Sequence, residues 1–173
     1  MQQVKWFDRK FDFTQDQNIV PSIVERLKET PVRLEEKLRY ISPDLLERRI
    51  ENTWTIKENI GHLSDLEPLW QGRLEDILTG RELLRPTDLQ NTRTSEANHD
   101  SVPIDELLSR FRKIRQATVL ALEDLEEDQT IMAARHPRLR TQMGTMDLFL
   151  FVAEHDDHHL ARISELEKLL RET

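Results

Sequence analysis

Apolar residues recur at intervals of three and four over four long stretches of this chain, a spacing typical of amphipathic α-helices. It predicts four helices, at residues 21–40, 54–78, 104–125 and 145–171. Long polar connections, residues 81–102 and 126–144, separate the last three, and neither contains an alternating strand pair with a hairpin turn. The pattern therefore predicts an all-α protein, a four-helix bundle with long connections that forms one domain over residues 1–173.

Individual residues predict where the helices begin, end and bend. Thr55 and Glu58 have the spacing of a capping box at the start of the second helix. Gly80 suits the residue that ends this helix. Pro31 predicts a kink or break in the first helix and Pro68 a bend in the second, because proline lacks the amide hydrogen that a helix interior uses.

Composition excludes several classes of protein. The formal net charge of −8 argues against nucleic acid as a partner, because phosphate binding needs a basic surface. The chain has no cysteine, so any metal must be held by nitrogen and oxygen atoms. The first residues lack the apolar core of a signal peptide, and the longest apolar run, residues 148–153, is too short to cross a bilayer. We therefore expect no membrane association and a cytoplasmic location.

Two histidines four residues apart, His155 and His159, lie on the fourth predicted helix. At about 100° per residue, His159 falls at the centre of the apolar stripe and His155 at its edge. His158 falls about 100° from that centre and is expected at the margin or in solvent. The imidazoles of His155 and His159 can therefore reach one point in space, as a divalent metal requires if a third ligand arrives from a neighbouring helix.

His62, on the second predicted helix, is the best candidate for that third ligand. It lies just off the apolar stripe of its helix, alongside Leu69 and Arg73. Ligating histidines usually donate their second ring nitrogen to a carboxylate or a carbonyl group. Four acidic residues near the histidines are candidates for that role: Glu58, Asp65, Asp156 and Asp157.

Other conspicuous residues have plainer interpretations. His99 and His136 lie in predicted loops and are poor candidates for metal ligands. Trp54 and Trp70 are expected to pack at the start and in the core of the second helix rather than to contact a substrate. Arg162 could reach a ligand carboxylate beside the metal, but a solvated surface arginine is the simpler interpretation.

Two segments resemble the DinB-like superfamily, the group that also contains YfiT-type proteins regarded as metal-dependent hydrolases. One segment is WTIKENIGHLSD at residues 54–65, and the other leads from residues 136–138 to HDDHHLARI at residues 155–163. The resemblance covers residues 21–170. It implies an up-up-down-down four-helix bundle with a divalent metal, commonly zinc or nickel, held by His62, His155 and His159 together with waters.

The resemblance also implies an activity and an assembly. Characterised relatives include enzymes that use low-molecular-weight thiols such as bacillithiol or mycothiol, and a homodimer is expected. Three neutral ligands leave coordination positions open, so a divalent ion could activate a bound thiol or water. The leading hypothesis is a metal-dependent S-transferase that acts on a small molecule. The first alternative is a hydrolase that uses metal-bound hydroxide, with Glu58 or a nearby aspartate as the proton acceptor.

Two non-catalytic alternatives stay open from the sequence. The metal could only brace the second and fourth helices, which predicts a closed coordination shell and no ligand-sized cavity beside it. The histidines could also line an apolar pocket of a metal-free binding protein. A buried imidazole without partners for both nitrogens costs about 1–3 kcal/mol, so two such rings stacked in the core favour a metal.

Overall fold

A computed structural model describes residues 3–11 and 18–172 of the chain. The four long helices lie where the apolar spacing predicts them, and short elements occupy the connections. The elements in chain order are α1 (Val20–Leu38), α2 (Ile56–Leu78), α3 (Thr92–Glu96), α4 (Ile104–Glu123), α5 (Glu127–Thr130), β1 (Ala133–Arg135), β2 (Gln142–Gly144) and α6 (Thr145–Arg171), with single 3-10 turns at Trp6–Asp8, Pro43–Leu45 and His99–Ser101.

The four long helices form the predicted all-α bundle, in which α1 and α2 each pack mainly against α4 and α6. Apolar side chains fill the interior in two clusters, one toward each end of the bundle, and each fully buried large side chain contributes about 1.5–3 kcal/mol. The clusters include Ile23, Leu27, Trp70, Leu122 and Val152 at one end and Leu34, Ile60, Leu107, Phe111 and Ile163 at the other. Within the described residues, no helix is long and apolar enough to cross a membrane.

The helix directions differ from the up-up-down-down order that the resemblance implies. Side-chain pairs along neighbouring helices reveal each direction, because residue numbers rise together only when two helices are parallel. The pairs are Lys28–Glu123 and Glu35–Arg112 between α1 and α4, Thr30–Asp156 and Lys37–Ser164 between α1 and α6, and Asn59–His159 and Trp70–Phe151 between α2 and α6. Helices α1 and α6 therefore run one way and α2 and α4 the other, an up-down-down-up order.

The connection from α2 to α4 is long because these two helices are parallel. Residues 79–103 must traverse the length of the bundle before α4 can begin. Helix α3 and the 3-10 turn His99–Ser101 lie on this crossover and pack against α2. The crossover therefore places polar side chains beside the histidine-bearing face of α2.

Helix α1 is continuous through Pro31, so the predicted break does not occur in its described span. Proline at this position leaves the carbonyl oxygen of Leu27 without its helical amide donor. Nη1 of Arg115 lies 3.4 Å from that oxygen and takes the place of the missing donor. Arg115 is itself buried between Glu67 of α2 and Asp156 of α6. A tertiary contact thus supplies what the proline removes.

Helix α2 begins and ends as the sequence predicts. The hydroxyl of Thr55 accepts the amide hydrogen of Glu58, and the carboxylate of Glu58 accepts the amide hydrogen of Thr55. Gly80 has a φ of 71°, the left-handed conformation that commonly follows a helix. The helix is continuous through Pro68.

A small antiparallel hairpin, β1 with β2, corrects the prediction that the last connection contains no strand pair. Ala134 lies opposite Met143, and both side chains are buried. The amide of Leu84 donates to the carbonyl of Arg135 over 3.0 Å, which ties the crossover to the hairpin. Strands of three residues are too short to show a recognisable alternation, so no pattern predicted them. The hairpin holds a loop that begins at His136.

Candidate metal centre

The three histidines predicted to face one another do so. His62 lies on α2, His155 and His159 lie one turn apart on α6, and all three are buried. One ring nitrogen of each lies within 4.8 Å of those of the other two. His158 is half-buried at the margin, as predicted, and its ring packs beside that of Trp6 with centroids 5.5 Å apart.

Burial keeps the three imidazoles in the neutral form that metal binding requires. It lowers the pKa of His62 to about 4. Burial, reinforced by the neighbouring imidazoles, also lowers the pKa of His155 and of His159 well below the usual value. Each ring therefore carries a lone pair at neutral pH.

A chain of hydrogen bonds selects the tautomer of His62. Its Nδ1 lies 2.9 Å from Oγ1 of Thr94, and that hydroxyl donates to Oδ2 of Asp65 over 2.9 Å. Because the single hydroxyl hydrogen goes to Asp65, Thr94 accepts from the Nδ1–H of His62. The lone pair of His62 is therefore on Nε2. Burial raises the pKa of Asp65, but the hydrogen bonds from His99 and Thr94 outweigh it, so the net pKa is lowered and the carboxylate stays charged.

Asn59 selects the tautomer of His159 in a similar way. Its Nδ2 donates to the carbonyl of Thr55 over 2.8 Å, which directs Oδ1 at Nδ1 of His159, 2.9 Å away. Nδ1 of His159 therefore carries the hydrogen and Nε2 carries the lone pair. That Nε2 faces Nε2 of His155 at 3.2 Å.

This arrangement fits a divalent ion with nitrogen ligands. Two imidazole nitrogens bound to one tetrahedral ion lie about 3.4 Å apart, close to the 3.2 Å between His155 and His159. Nδ1 of His155 is buried and has no hydrogen-bond partner among residues 3–11 and 18–172. Without a metal, the Nε2–H of His155 can donate to the lone pair on Nε2 of His159. An ion would instead be bound by both Nε2 atoms, with the hydrogen of His155 on Nδ1. Three protein ligands would leave coordination positions for substrate.

Of the four carboxylates predicted to support the histidines, Asp65 does so, through Thr94. The other three have different partners, because a helical projection gives the face of a residue but not the neighbour that packs on it. These partners are Thr55 and Arg49 for Glu58, Arg115 and Thr30 for Asp156, and Arg26 and Arg33 for Asp157.

The histidines line a cavity of about 340 Å³. Aromatic rings form much of its remaining wall, from Trp6, Phe7, Trp54, Trp70 and Phe151. The ring of Trp54 lies 4.6 Å from that of His62, and the ring of Trp70 lies 5.9 Å from that of His155. The interpretation of these two tryptophans as packing residues alone is therefore corrected, since both also face the cavity. Arg162 lines the cavity as well and pairs with Glu165.

Two buried polar residues on the cavity wall, Arg73 and His136, were not assigned to the site from sequence. Arg73 follows His62 by eleven residues, about three helical turns, so the helical projection already placed them together. His136 carried no comparable signal, because only the tertiary fold brings the hairpin loop to the cavity. His99 is buried against Gly61 and bonds to Asp65.

The sequence matches the DinB superfamily over residues 26–163, which include the complete histidine cluster. The chain belongs to the DinB superfamily. This confirms the resemblance seen in residues 54–65 and 155–163. No curated protein matches the chain.

Solved structures share the DinB-type bundle. YfiT from Bacillus subtilis, described as a probable metal-dependent hydrolase with an unusual four-helix bundle topology, is 20% identical, with a TM-score of 0.78 over 94% of this chain and 93% of that one. The colibactin self-resistance protein ClbS, solved in complex with a dsDNA, is 15% identical, with a TM-score of 0.65 over 89% and 98%. A protein from Streptococcus pneumoniae is 13% identical, with a TM-score of 0.64 over 92% and 93%. Identities this low establish the fold and leave the chemistry to the site.

Proposed function

We propose that His62, His155 and His159 bind a divalent metal ion, zinc or nickel, and that the protein is a metal-dependent enzyme acting on a small molecule. The observation that carries this proposal is the convergence of three neutral imidazoles on the wall of a 340 Å³ cavity. The similar fold of YfiT, described as a probable metal-dependent hydrolase, supports metal dependence.

The cavity argues against a metal that only braces α2 and α6. A bracing ion needs a closed coordination shell, whereas small-molecule sites are concave, mostly apolar cavities of roughly this size. The aromatic walls offer an apolar surface to a substrate. Thr94 and Asn59 hold two of the rings in one tautomer, so their lone pairs need no rearrangement.

Within this class, we infer that the reaction is S-transfer from a low-molecular-weight thiol. A divalent ion would supply Lewis-acid activation that lowers the pKa of the thiol. Glu58 and Asp65, one helical turn on either side of His62, are both engaged in hydrogen bonds and are poorly placed to accept a proton. A thiol, with an ordinary pKa of about 8.5, depends less on such a base than water does. The thiol would lose its proton to solvent, the thiolate would attack an electrophilic carbon, and the leaving group would depart with the bonding electrons.

Hydrolysis is the second candidate, and the description of YfiT as a probable metal-dependent hydrolase is its specific support. The same histidines and cavity would serve it, with water in place of the thiol. The homodimer and the cytoplasmic location stay predictions from the sequence.

Elemental analysis of untagged protein tests the metal. Wild-type protein incubated with zinc or nickel is expected to retain about one equivalent per chain. His62→Ala and His159→Ala should retain substoichiometric metal. His158→Ala is the matched control, because it is adjacent in sequence but outside the cluster, and should retain the full amount. Substoichiometric metal in the wild type would reject the proposal in favour of a metal-free pocket.

An activity assay separates the two reactions. Metal-loaded protein is mixed with an alkylating electrophile and glutathione, bacillithiol or mycothiol, and separately with neutral esters and amides. S-transfer predicts a thioether product that depends on the thiol and disappears in His159→Ala, while circular dichroism shows a retained fold. Cleavage of an ester or amide without a thiol would favour hydrolysis instead.

A further inference from the structure

Arg73 is a buried cation on the cavity wall, and no carboxylate of residues 3–11 or 18–172 contacts it directly. Its Nε donates to the carbonyl of Arg85 over 3.1 Å, and its Nη1 lies 3.2 Å from Nε2 of His136. Its Nη2 is buried and has no hydrogen-bond partner in the described part of the chain. The nearby carboxylate of Asp76 bonds to the side chain of Arg85 instead. Burial lowers the pKa of Arg73 to about 10, so the guanidinium is charged at neutral pH, and a buried charge without a partner is costly.

More N–H groups point at the ring nitrogens of His136 than a neutral imidazole can accept hydrogen bonds from. The backbone amides of Arg138 and Leu139 both point at its Nδ1, each over 3.2 Å, and Nη1 of Arg73 faces its Nε2. Burial, followed by the charges of Arg73 and Arg138, lowers the pKa of His136 to about 4, so the ring is neutral. A neutral imidazole has one acceptor nitrogen and one N–H, and the backbone uses the acceptor. The Nε2–H of His136 therefore points at a guanidinium that also donates.

Counted together with Arg73, positive charges outnumber negative ones on the cavity wall. Arg138 and Arg162 line it together with Arg73, whereas Asp88 is the single carboxylate among its lining residues in the described chain. Arg162 is neutralised by Glu165. In a chain of net charge −8, positive charge is therefore concentrated where the unsatisfied N–H groups of Arg73 and His136 meet.

We propose that Arg73 and His136 form an oxyanion subsite, which binds a carboxylate or phosphate group of the small molecule that reacts at the histidine cluster. An oxyanion there accepts hydrogens from Nη1 and Nη2 of Arg73 and from Nε2 of His136, as charge-assisted hydrogen bonds. The ring of Trp70 contacts both Arg73 and the histidine cluster, 5.6 Å from Cζ of Arg73 and 5.9 Å from the ring of His155. The ligand therefore carries its anionic group a few bonds from its reactive atom.

This inference rests on the proposed function for the chemistry at the histidines, but oxyanion binding is measured without a metal. Chelator-treated protein is titrated at constant ionic strength with succinate, with inorganic phosphate and with neutral dimethyl succinate. Calorimetry is expected to detect binding of an oxyanion and not of the diester. Whichever of succinate and phosphate binds with the higher affinity shows whether the subsite takes a carboxylate or a phosphate group. Arg73→Gln should weaken binding about tenfold or more. Arg112→Gln, an exposed arginine of α4, is the control and should bind as the wild type does.

Stability supplies a second readout. Because no described carboxylate contacts Arg73, Arg73→Gln is expected to keep or raise the melting temperature of the anion-free protein. If that variant does not fold, Arg73→Lys keeps the charge, loses the planar fork and should still weaken succinate binding. Unchanged affinity in a folded Arg73 variant, or equal binding of succinate and its diester, would overturn the subsite. Metal content is measured in parallel, so that lost metal with intact oxyanion binding overturns only the proposed function.

Discussion

The histidine cluster depends on two neutral residues that do not belong to it. Asn59 and Thr94 each accept from the Nδ1–H of one histidine, and their own donors are used by the carbonyl of Thr55 and by Asp65. These bonds orient the rings and increase the basicity of the free nitrogens without adding a formal charge to the cavity. A charged neighbour in their place would change the electrostatics that a bound thiol or water experiences.

Replacing Thr94 tests this support. Thr94→Val keeps the shape of the side chain but removes the hydroxyl that joins His62 to Asp65. Metal affinity is expected to fall about 10–100-fold, measured by competition with a chromophoric chelator. Thr92→Val is the matched control on the same short helix, because the side chain of Thr92 is exposed. Equal affinities in the two variants would show that the hydrogen-bond chain does not tune the metal site.

At the scale of elements, the four helices are joined by a buried ionic cluster as well as by apolar packing. Arg115 of α4 contacts Glu67 of α2, Asp156 of α6 and the Leu27 carbonyl that Pro31 leaves free in α1. A guanidinium has enough donors to serve all of these acceptors in a fixed geometry. The cluster therefore fixes how the helices are placed around the core at one level of the bundle.

Arg115→Met is expected to destabilise the protein strongly. It leaves two buried carboxylates without a cation and a carbonyl without a donor, and breaking a buried ion pair in this way costs about 3–5 kcal/mol. Arg112→Met, one turn earlier on α4, breaks an exposed pair with Glu35 and should cost about 0–1 kcal/mol. Urea unfolding of both variants measures the difference. Similar midpoints for the two would mean that the buried cluster does not hold the helices together.

At the scale of the whole molecule, the cavity is completed by segments that lie far apart in the sequence. The crossover supplies Asp88 and Leu89, the hairpin loop supplies His136, and the segment before α1 supplies Trp6 and Phe7. Backbone hydrogen bonds from Leu84 to the carbonyl of Arg135 and from Arg135 to the carbonyl of Glu82 join two of these segments to each other. The cavity therefore exists only when all of these segments are folded together.

His136 makes the stability of the whole molecule depend on pH. Its pKa is about 4 in the folded protein, lowered by burial and then by Arg73 and Arg138, and about 6.5 when the chain is unfolded. Between these pH values the unfolded chain takes up a proton that the folded protein does not. The contribution of His136 to the free energy of unfolding is therefore complete above pH 6.5 and is lost as the pH falls toward 4. The loss is roughly 1–3 kcal/mol.

Urea unfolding at a series of pH values between 7.5 and 4 measures this contribution. The free energy of unfolding should fall more steeply with decreasing pH in the wild type than in His136→Gln. Carboxylates with a lowered pKa, such as Asp65 and Glu154, lose their contributions at lower pH, so they do not obscure the difference. Parallel curves for the two proteins would contradict the assignment of a neutral buried His136.

The sequence by itself determined the four helices, the cap at Thr55, the end at Gly80 and the meeting of His62 with His155 and His159. The helices, the cap and the helix end depend on energies that act within a few residues: the period of the apolar face, the unpaired amides of a first turn and the conformational freedom of glycine. A helical projection is enough to place a histidine on an inward face. The inward faces of two helices in one bundle then pack against each other in its core.

Only the tertiary structure decided the helix directions, the β1–β2 hairpin, the partners of the histidines and the pairing of Arg73 with His136. Thr94 and His136 reach the cavity from connections with no strong period of their own, and the three-residue strands are stabilised by a contact with the distant Leu84. These arrangements depend on which surfaces pack across long separations in sequence. The contacts that stabilise them form between residues far apart in sequence, so no local pattern of residues predicts them.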